Sequence, residues 1–214
     1  MNERRFSLFD RLVAQLDQAL HTVCGPTPRA ERVSPAAGKT DATLSASERE
    51  LGGRLMRINH VGEICAQALY QGQAMTARLP DVRGKMEQAA QEENDHLAWT
   101  DERIHELGSH ASYLNPLWYA GSFAIGAIAG AIGDKWSLGF VAETEKQVVE
   151  HLDEHLQRLP KADEKSRVIL EQMREDEGHH ATVAIESGGV ALPEPVRKLM
   201  HYTSKIMTRT AYWI

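Results

Sequence analysis

The chain predicts an all-α protein: a four-helix bundle with an apolar connector helix and additional terminal helices. Four long segments repeat apolar residues at the i, i+3, i+4, i+7 spacing of a buried helical face. Cap residues, glycines or prolines bound each of them, and no stretch alternates apolar and polar residues as a half-buried strand does. A length of 214 residues suits one domain with an appended arm.

Phe9, Leu12, Val13, Leu16 and Leu20 recur at helical spacing, which predicts an amphipathic helix over about 6–22. Gly25 to Thr43 holds three prolines, two glycines and small polar residues, the composition of a linker. Residues 1–44 are therefore expected to form an arm and linker, and 45–214 the packed domain. Ser45 with Glu48 makes a capping-box signal that opens a first core helix, expected to run to about Leu79 before Pro80. A second spans about Asp81 to Leu107 and ends at Gly108. The third runs from about Asp134 to Leu159, before Pro160. The fourth covers about Asp163 to Ser187, closed by Gly188 and Gly189. Pro193 to Ile214 reads as one shorter helix.

Ala111 to Gly133 contains no charged residue. Asn115 and Pro116 interrupt it, leaving about 16 apolar residues or roughly 24 Å of helix, short of the ~30 Å hydrocarbon core of a bilayer. A single crossing here would also place the first two core helices and the last two on opposite sides of the membrane. The segment is expected to lie in the membrane interface or to cover the open end of the bundle; a connector buried within the bundle is the alternative. Trp118, Tyr119 and Trp136 flank it as interface anchors do, and Gly126-x-x-x-Gly130 permits close helix contact. In the last helix Arg197, Lys198, Lys205 and Arg209 interleave with Leu199, Met200, Ile206 and Met207, which suits an anionic membrane surface.

A net charge of −6 and the lack of a long basic run argue against nucleic-acid binding. The two cysteines, Cys24 and Cys65, lack CxxC spacing, so neither a disulfide framework nor a thiolate metal site is expected, and a reducing compartment fits. Glu3, Asp10 and Asp17 make the N-terminus unlike a signal or transit peptide.

Chemistry enters through acids on apolar faces. At about 100° per residue, Leu170, Met173, Glu177, His180, Ala181 and Ala184 share one direction. Burying an ionised carboxylate there costs several kcal/mol or more unless a partner compensates. Glu93 and His96 likewise share a face with Met86, Ala90, Leu97, Ile104 and Leu107, and Glu145 with Leu138, Val141, Ala142, Leu152 and Leu156. Glu63 aligns with Met56, Ala66, Tyr70 and Ala74 on a stripe made more polar by Asn59, His60 and Gln67. A further Glu-x-x-His, Glu102 with His105, points the opposite way and is expected in solvent; Glu143 points away from the face of Glu145. His151 and His155 fall to the side of Glu145, and His179 points outward.

The core faces thus read Glu63, then Glu93 with His96, then Glu145, then Glu177 with His180. The intervals of 30 residues (63 to 93) and 32 residues (145 to 177) describe a repeated helical hairpin. Four carboxylates and two imidazoles inside a bundle are the donor set of a di-iron or di-manganese site. Two divalent cations balance four carboxylate charges, which makes the burial tolerable. A salt-bridged polar core, with Arg174 and His60 as the nearest partners, is the plainer alternative.

The segments "LMRINHVGEICAQALYQGQA", "EENDHLAW", "VAETEKQVVEHLDEHL" and "EDEGHHA" together resemble the demethoxyubiquinol hydroxylase family, di-iron monooxygenases of ubiquinone biosynthesis. The resemblance covers about Leu51 to Ile214. Carried over motif by motif, the family's ligands fall on Glu63, Glu93, His96, Glu145, Glu177 and His180, with His151 matching a histidine near the site. Adjacent Asp176 and Glu177, and adjacent His179 and His180, permit a slip of one residue; the apolar face favours Glu177 with His180. The resemblance implies a ferritin-like fold, two iron ions per chain, O₂ as co-substrate and an external reductant such as NAD(P)H. It further implies a peripheral enzyme on the cytoplasmic face of the bacterial inner membrane, acting on a polyprenylated quinol among membrane lipid and other ubiquinone-biosynthesis proteins. On the residues alone two other readings stand beside it: a different ferritin-like di-iron oxidase or peroxide-handling protein, and a non-enzymatic membrane-associated helical protein.

Overall fold

The computed structural model describes residues 13, 17–23, 25, 29–40 and 43–214. Six long helices order the domain: α1 (Ala46–Thr76), α2 (Pro80–Glu106), α3 (Asn115–Ile132), α4 (Asp134–Arg158), α5 (Glu164–Glu186) and α6 (Glu194–Trp213). There is no strand among the described residues. The helix ends follow local chemistry. Ser45 Oγ accepts the Glu48 N–H while the Glu48 carboxylate accepts the Ser45 N–H at 2.8 Å, the reciprocal pair that the sequence signals. α1 stops at Thr76, about three residues before the expected end. Pro80 holds Leu79 extended, and the Asp134 carboxylate accepts the N–H groups of Arg78 and Leu79 at 3.0 and 2.8 Å, so the chain leaves the helix early. Asp163 caps α5 by accepting the Ser166 N–H, and the same carboxylate oxygen accepts from the Arg103 guanidinium at 2.8 Å, tying α5 to α2.

α1 packs along α2 and α4 along α5, two antiparallel hairpins joined where α2 meets α5 and α1 meets α4. One apolar cluster gathers Leu55, Met56, Trp99, Ile104, Leu152, Leu170 and Met173. A second gathers Ala66, Tyr70, Met86, Ala90, Val141, Ala142 and Ala184. In each of the four helices the candidate glutamate lies between residues of one cluster and residues of the other. The acids therefore share one level of the bundle, with apolar packing above and below.

The connector α3 runs beside α1. A Cβ at Gly126 would run into the Leu69 carbonyl, and one at Gly72 into the Phe123 carbonyl, so each glycine lets the facing backbone approach. The face away from α1 leaves Leu117, Ile125, Ile128 and Ile132 exposed. α3 thus flanks the bundle with one face packed and one bare, and does not cover its end. No helix among the described residues is long and apolar enough to cross a membrane.

Of the helix expected over 6–22, residues 13 and 17–22 are described and helical, and the helix continues to residue 23; the remainder, like Cys24, lies outside the described residues. Ala19 and Val23 pack against Ile64, Ala68, Leu97 and Tyr119. Residues 29–40, linker-like in composition, lie against the bundle, where Ala30 and Ala36 pack on the first cluster and Lys39 pairs with Glu164 at 2.9 Å.

Candidate metal centre

Glu63, Glu93, His96, Glu145 and Glu177 are all buried, and His180 nearly so. Each comes from the core face of its helix. One donor atom from each of Glu63, Glu93, His96 and Glu177 falls within 4.8 Å of the others. His96 Nδ1 lies 3.2 Å from Glu63 Oε2, 3.2 Å from Glu93 Oε2 and 3.0 Å from Glu177 Oε1. His180 Nδ1 lies 3.1 Å from Glu177 Oε2 and 3.7 Å from Glu93 Oε1. Glu93 and Glu177 therefore each turn one oxygen toward each histidine. Glu145 stands on the His180 side, where the charges of Glu177, Glu93 and His180 all act on it and the Tyr70 hydroxyl donates to its Oε1.

The outward group is where its angles put it. Glu102 and His179 are exposed, and Glu143 accepts from Gln147 at the edge of the bundle. In α5 Glu177 is buried in the cluster, while Asp176 is half-buried and meets His96 from behind. Arg174 pairs with Asp153 at the surface at 2.9 Å, and the buried His60 bonds Thr100 Oγ1 at 3.0 Å, so neither neutralises the buried acids.

Burial pushes the Glu63 carboxyl above its ordinary range and the Glu93 and Glu145 carboxyls well above it, the last two helped by the charge on Glu177. Glu177 goes the other way. Burial opposes its charge, but His180 and His96 hold it below the usual range. Burial likewise opposes charge on both histidines, yet the surrounding carboxylates lift His96 well above its ordinary value and His180 to about 10. Bound cations would balance the charge that protons otherwise balance, so metal uptake and proton release are coupled. The fit to a metal shows in the orphaned acceptors: Glu93 Oε1, Glu145 Oε2 and Glu177 Oε1 are buried without a hydrogen-bond donor. The last is met by His96 Nδ1 at 3.0 Å as an ion pair. Buried carboxylate oxygens converging from three helices suit hard divalent cations.

The structure adds residues behind the six. His96 Nε2 lies 2.9 Å from Asp176 Oδ2, and His180 Nε2 2.8 Å from Glu92 Oε2. Each Glu-x-x-His is preceded by an acid that reaches across to the histidine of the other motif. Such carboxylate–imidazole pairs fix which ring nitrogen faces a metal. The sequence signal is the doublets Glu92-Glu93 and Asp176-Glu177, whose first members point off the core face and gain meaning only when α2 and α5 are side by side.

Beside the cluster lies a cavity of about 280 Å³, near the lower end for ligand pockets. Glu63 lines its inner end; Ala66, Leu69, Trp118, Phe140, Leu199 and Met207 make its walls apolar, and Asn59, Gln147 and His151 supply polar groups. It lies between α3 and α6, whose outer faces expose Ile128, Leu199, Tyr202 and Ile206. The basic residues Arg197, Lys198, Lys205 and Arg209 are exposed on α6.

Two buried imidazoles lie outside the cluster. Burial lowers His60 to about 4, against the charge of Asp101, and lowers His155 to about 3, with His151 and Arg158 adding to the effect. The unfolded chain binds a proton at each near pH 6.5 while the folded chain does not, so their contribution is complete above pH 6.5 and is lost as pH falls toward 4 and 3. The loss is roughly 1.4 kcal/mol per pH unit per group. His155 Nδ1 bonds Asn59 Oδ1 at 2.9 Å, a contact that an amide N–H can replace. Denaturant unfolding at pH 7 and pH 5 should therefore show His155→Gln losing about 2 kcal/mol less on acidification than the wild type. Equal losses in both proteins would refute a buried neutral His155.

The ubiquinone biosynthesis protein COQ7 family model matches residues 50–211. A 3-demethoxyubiquinol 3-hydroxylase from Nitrosococcus oceani is 60% identical over 214 residues, covering 100% of both chains. One from Stutzerimonas stutzeri is 59% identical, covering 100% of this chain and 99% of its own. Among solved structures, a dodecameric thioferritin related to bacterioferritin, from Bacteroides fragilis, matches 67% of this chain and 88% of its own with a TM-score of 0.52 and 18% identity, a likeness of fold that is ferritin-like. With a match that spans the bundle and all six clustered acids and histidines, and with relatives alike from end to end, the chain belongs to the COQ7 family of ubiquinone biosynthesis proteins.

Proposed function

We propose that this chain hydroxylates the ring of a demethoxyubiquinol as a peripheral enzyme on the cytoplasmic face of the inner membrane, with Glu63, Glu93, His96, Glu145, Glu177 and His180 holding two irons. The names of its relatives support the reaction. The observation that carries it is the cavity that joins Glu63 to the bare apolar faces of α3 and α6. A polyprenylated quinol lives in the bilayer, so an enzyme for it needs an apolar mouth at the membrane surface. When bound, the irons supply O₂ activation. One oxygen atom enters the ring in place of hydrogen and the other leaves as water, which requires two electrons and two protons from outside; an NAD(P)H-type reductant meets that need.

The chain's own residues bind and orient. The apolar walls exclude water and accept the ring and first prenyl carbons, while Asn59, Gln147 and His151 offer hydrogen bonds to ring oxygens. His151 Nε2 is already held by Ser204 Oγ of α6 at 2.8 Å, so α6 positions it. Asp176 and Glu92 keep each histidine's Nδ1 toward the carboxylates.

Iron-loaded protein in lipid vesicles with demethoxyubiquinone, a chemical reductant and ¹⁸O₂ should give a product carrying one ¹⁸O per ring. Oxygen uptake that proceeds equally without quinol and yields peroxide would instead make the protein an oxidase.

A further inference from the structure

The two halves of the centre match in their histidines and differ in what stands behind them. Asp176, behind His96, gives the same Oδ2 to the Arg32 Nη1–H at 2.8 Å, and Arg32 Nε donates to Asp95 Oδ2 at 2.6 Å. The guanidinium lies 4.8 Å over the Trp99 ring, and its Nη2 comes within 3.5 Å of His96 Nε2. The backbone N–H groups of Glu31 and Arg32 both reach Asp95 Oδ1, at 2.7 and 3.3 Å. Behind His180, Glu92 has a 41% exposed side chain and a bond from Gln88, with no lysine or arginine paired to it among the described residues. Residue 32 also falls outside the 50–211 span of the family match.

We infer that Arg32 is a positioning residue: a clamp from the N-terminal segment that fixes Asp176, and through it His96, so that the His96 half of the centre is preorganised for metal and the His180 half is not. The inference rests on the two-metal reading above. A planar fork bonding two carboxylates fixes their relative orientation as a single ammonium does not. Loss of an outer partner of a metal-binding histidine typically weakens metal affinity about 10- to 100-fold. Here the loss should fall on one half alone.

The test is Co²⁺ binding to metal-free full-length protein, followed by calorimetry and by the visible spectrum of the bound ion, for wild type, Arg32→Gln, Arg32→Lys and Glu92→Gln. Wild type should bind in two unequal steps. Arg32→Gln should weaken the tighter step about 10-fold or more and shift its spectrum while leaving the weaker step in place, and Arg32→Lys should recover little. Glu92→Gln should act on the weaker step. The backbone bonds to Asp95 and the Lys39–Glu164 pair keep the segment docked in Arg32→Gln, and an unchanged unfolding midpoint checks this. Unchanged steps in Arg32→Gln would overturn the proposal, as would equal weakening of both steps or full recovery by lysine. Wild type that binds no Co²⁺ would refute the two-metal reading itself, and this inference with it.

Discussion

Glu177→Ala and Glu93→Ala are expected to purify with fewer than about one iron per chain where the wild type holds about two, while Glu102→Ala and Glu143→Ala keep the wild-type content. Each of the first two glutamates turns an oxygen toward both histidines, so its loss removes a donor and a balancing charge from both metal positions at once. Glu102 is exposed, and Glu143 accepts from Gln147 at the bundle edge. Helix content should stay near wild type in all four, because the apolar clusters above and below the acids are untouched. Iron analysis of the purified proteins, with circular dichroism beside it, checks the set. Normal iron in the Glu177 variant, or iron loss in the Glu102 variant, would dismiss the six residues as the metal's ligands.

Ile128→Asp should release the protein from vesicles of anionic phospholipid and slow turnover of a long-chain quinol more than that of a short soluble analogue. Ile128 is 61% exposed on the face of α3 that turns away from α1, next to Ile125 at the rim of the cavity. Moving a charge in place of that apolar surface into a membrane interface should cost about 2 kcal/mol or more, which corresponds to roughly 30-fold in binding. The exposed position also means that the substitution leaves no hole in the core, so iron content and unfolding midpoint should hold. Flotation with vesicles measures the first effect and the ratio of the two turnover rates the second. A variant that floats with the vesicles and handles both quinols like wild type would place the membrane contact, and the entry to the cavity, elsewhere.

Much of the helical framework was legible in the sequence because it is written in short-range terms. The Ser45–Glu48 box, Pro80 at the start of α2 and Asp163 ahead of α5 act within four residues of themselves, so reading them needs no neighbour. The inward facing of the six candidate residues was legible for a related reason. A glutamate on an apolar stripe is costly wherever the helix ends up, and four such helices at matching intervals leave a shared cation as the economical answer. The helix end misplaced by three residues, at Thr76, came from a carboxylate 58 residues downstream, Asp134, which captures two backbone N–H groups.

What depends on two helices lying side by side was closed to the sequence. Asp176 and Glu92 look like solvent-facing acids until α2 and α5 approach, when each meets the histidine of the other helix. Arg32 sits in a stretch whose prolines and glycines describe local stiffness and say nothing of long-range docking, yet it bonds residues 63 and 144 positions away. The bare and packed faces of α3 were equally hidden, since a nearly uniform apolar run has no polar side to orient it, and only the glycine contacts with α1 decide which face turns out. Sequence alone therefore determined the helices and the residues that share their buried faces, because periodicity and capping are local. The tertiary structure decided the crossed histidine partners, the docked Arg32 and the cavity between α3 and α6, because each is made by groups that only the packed chain brings within reach.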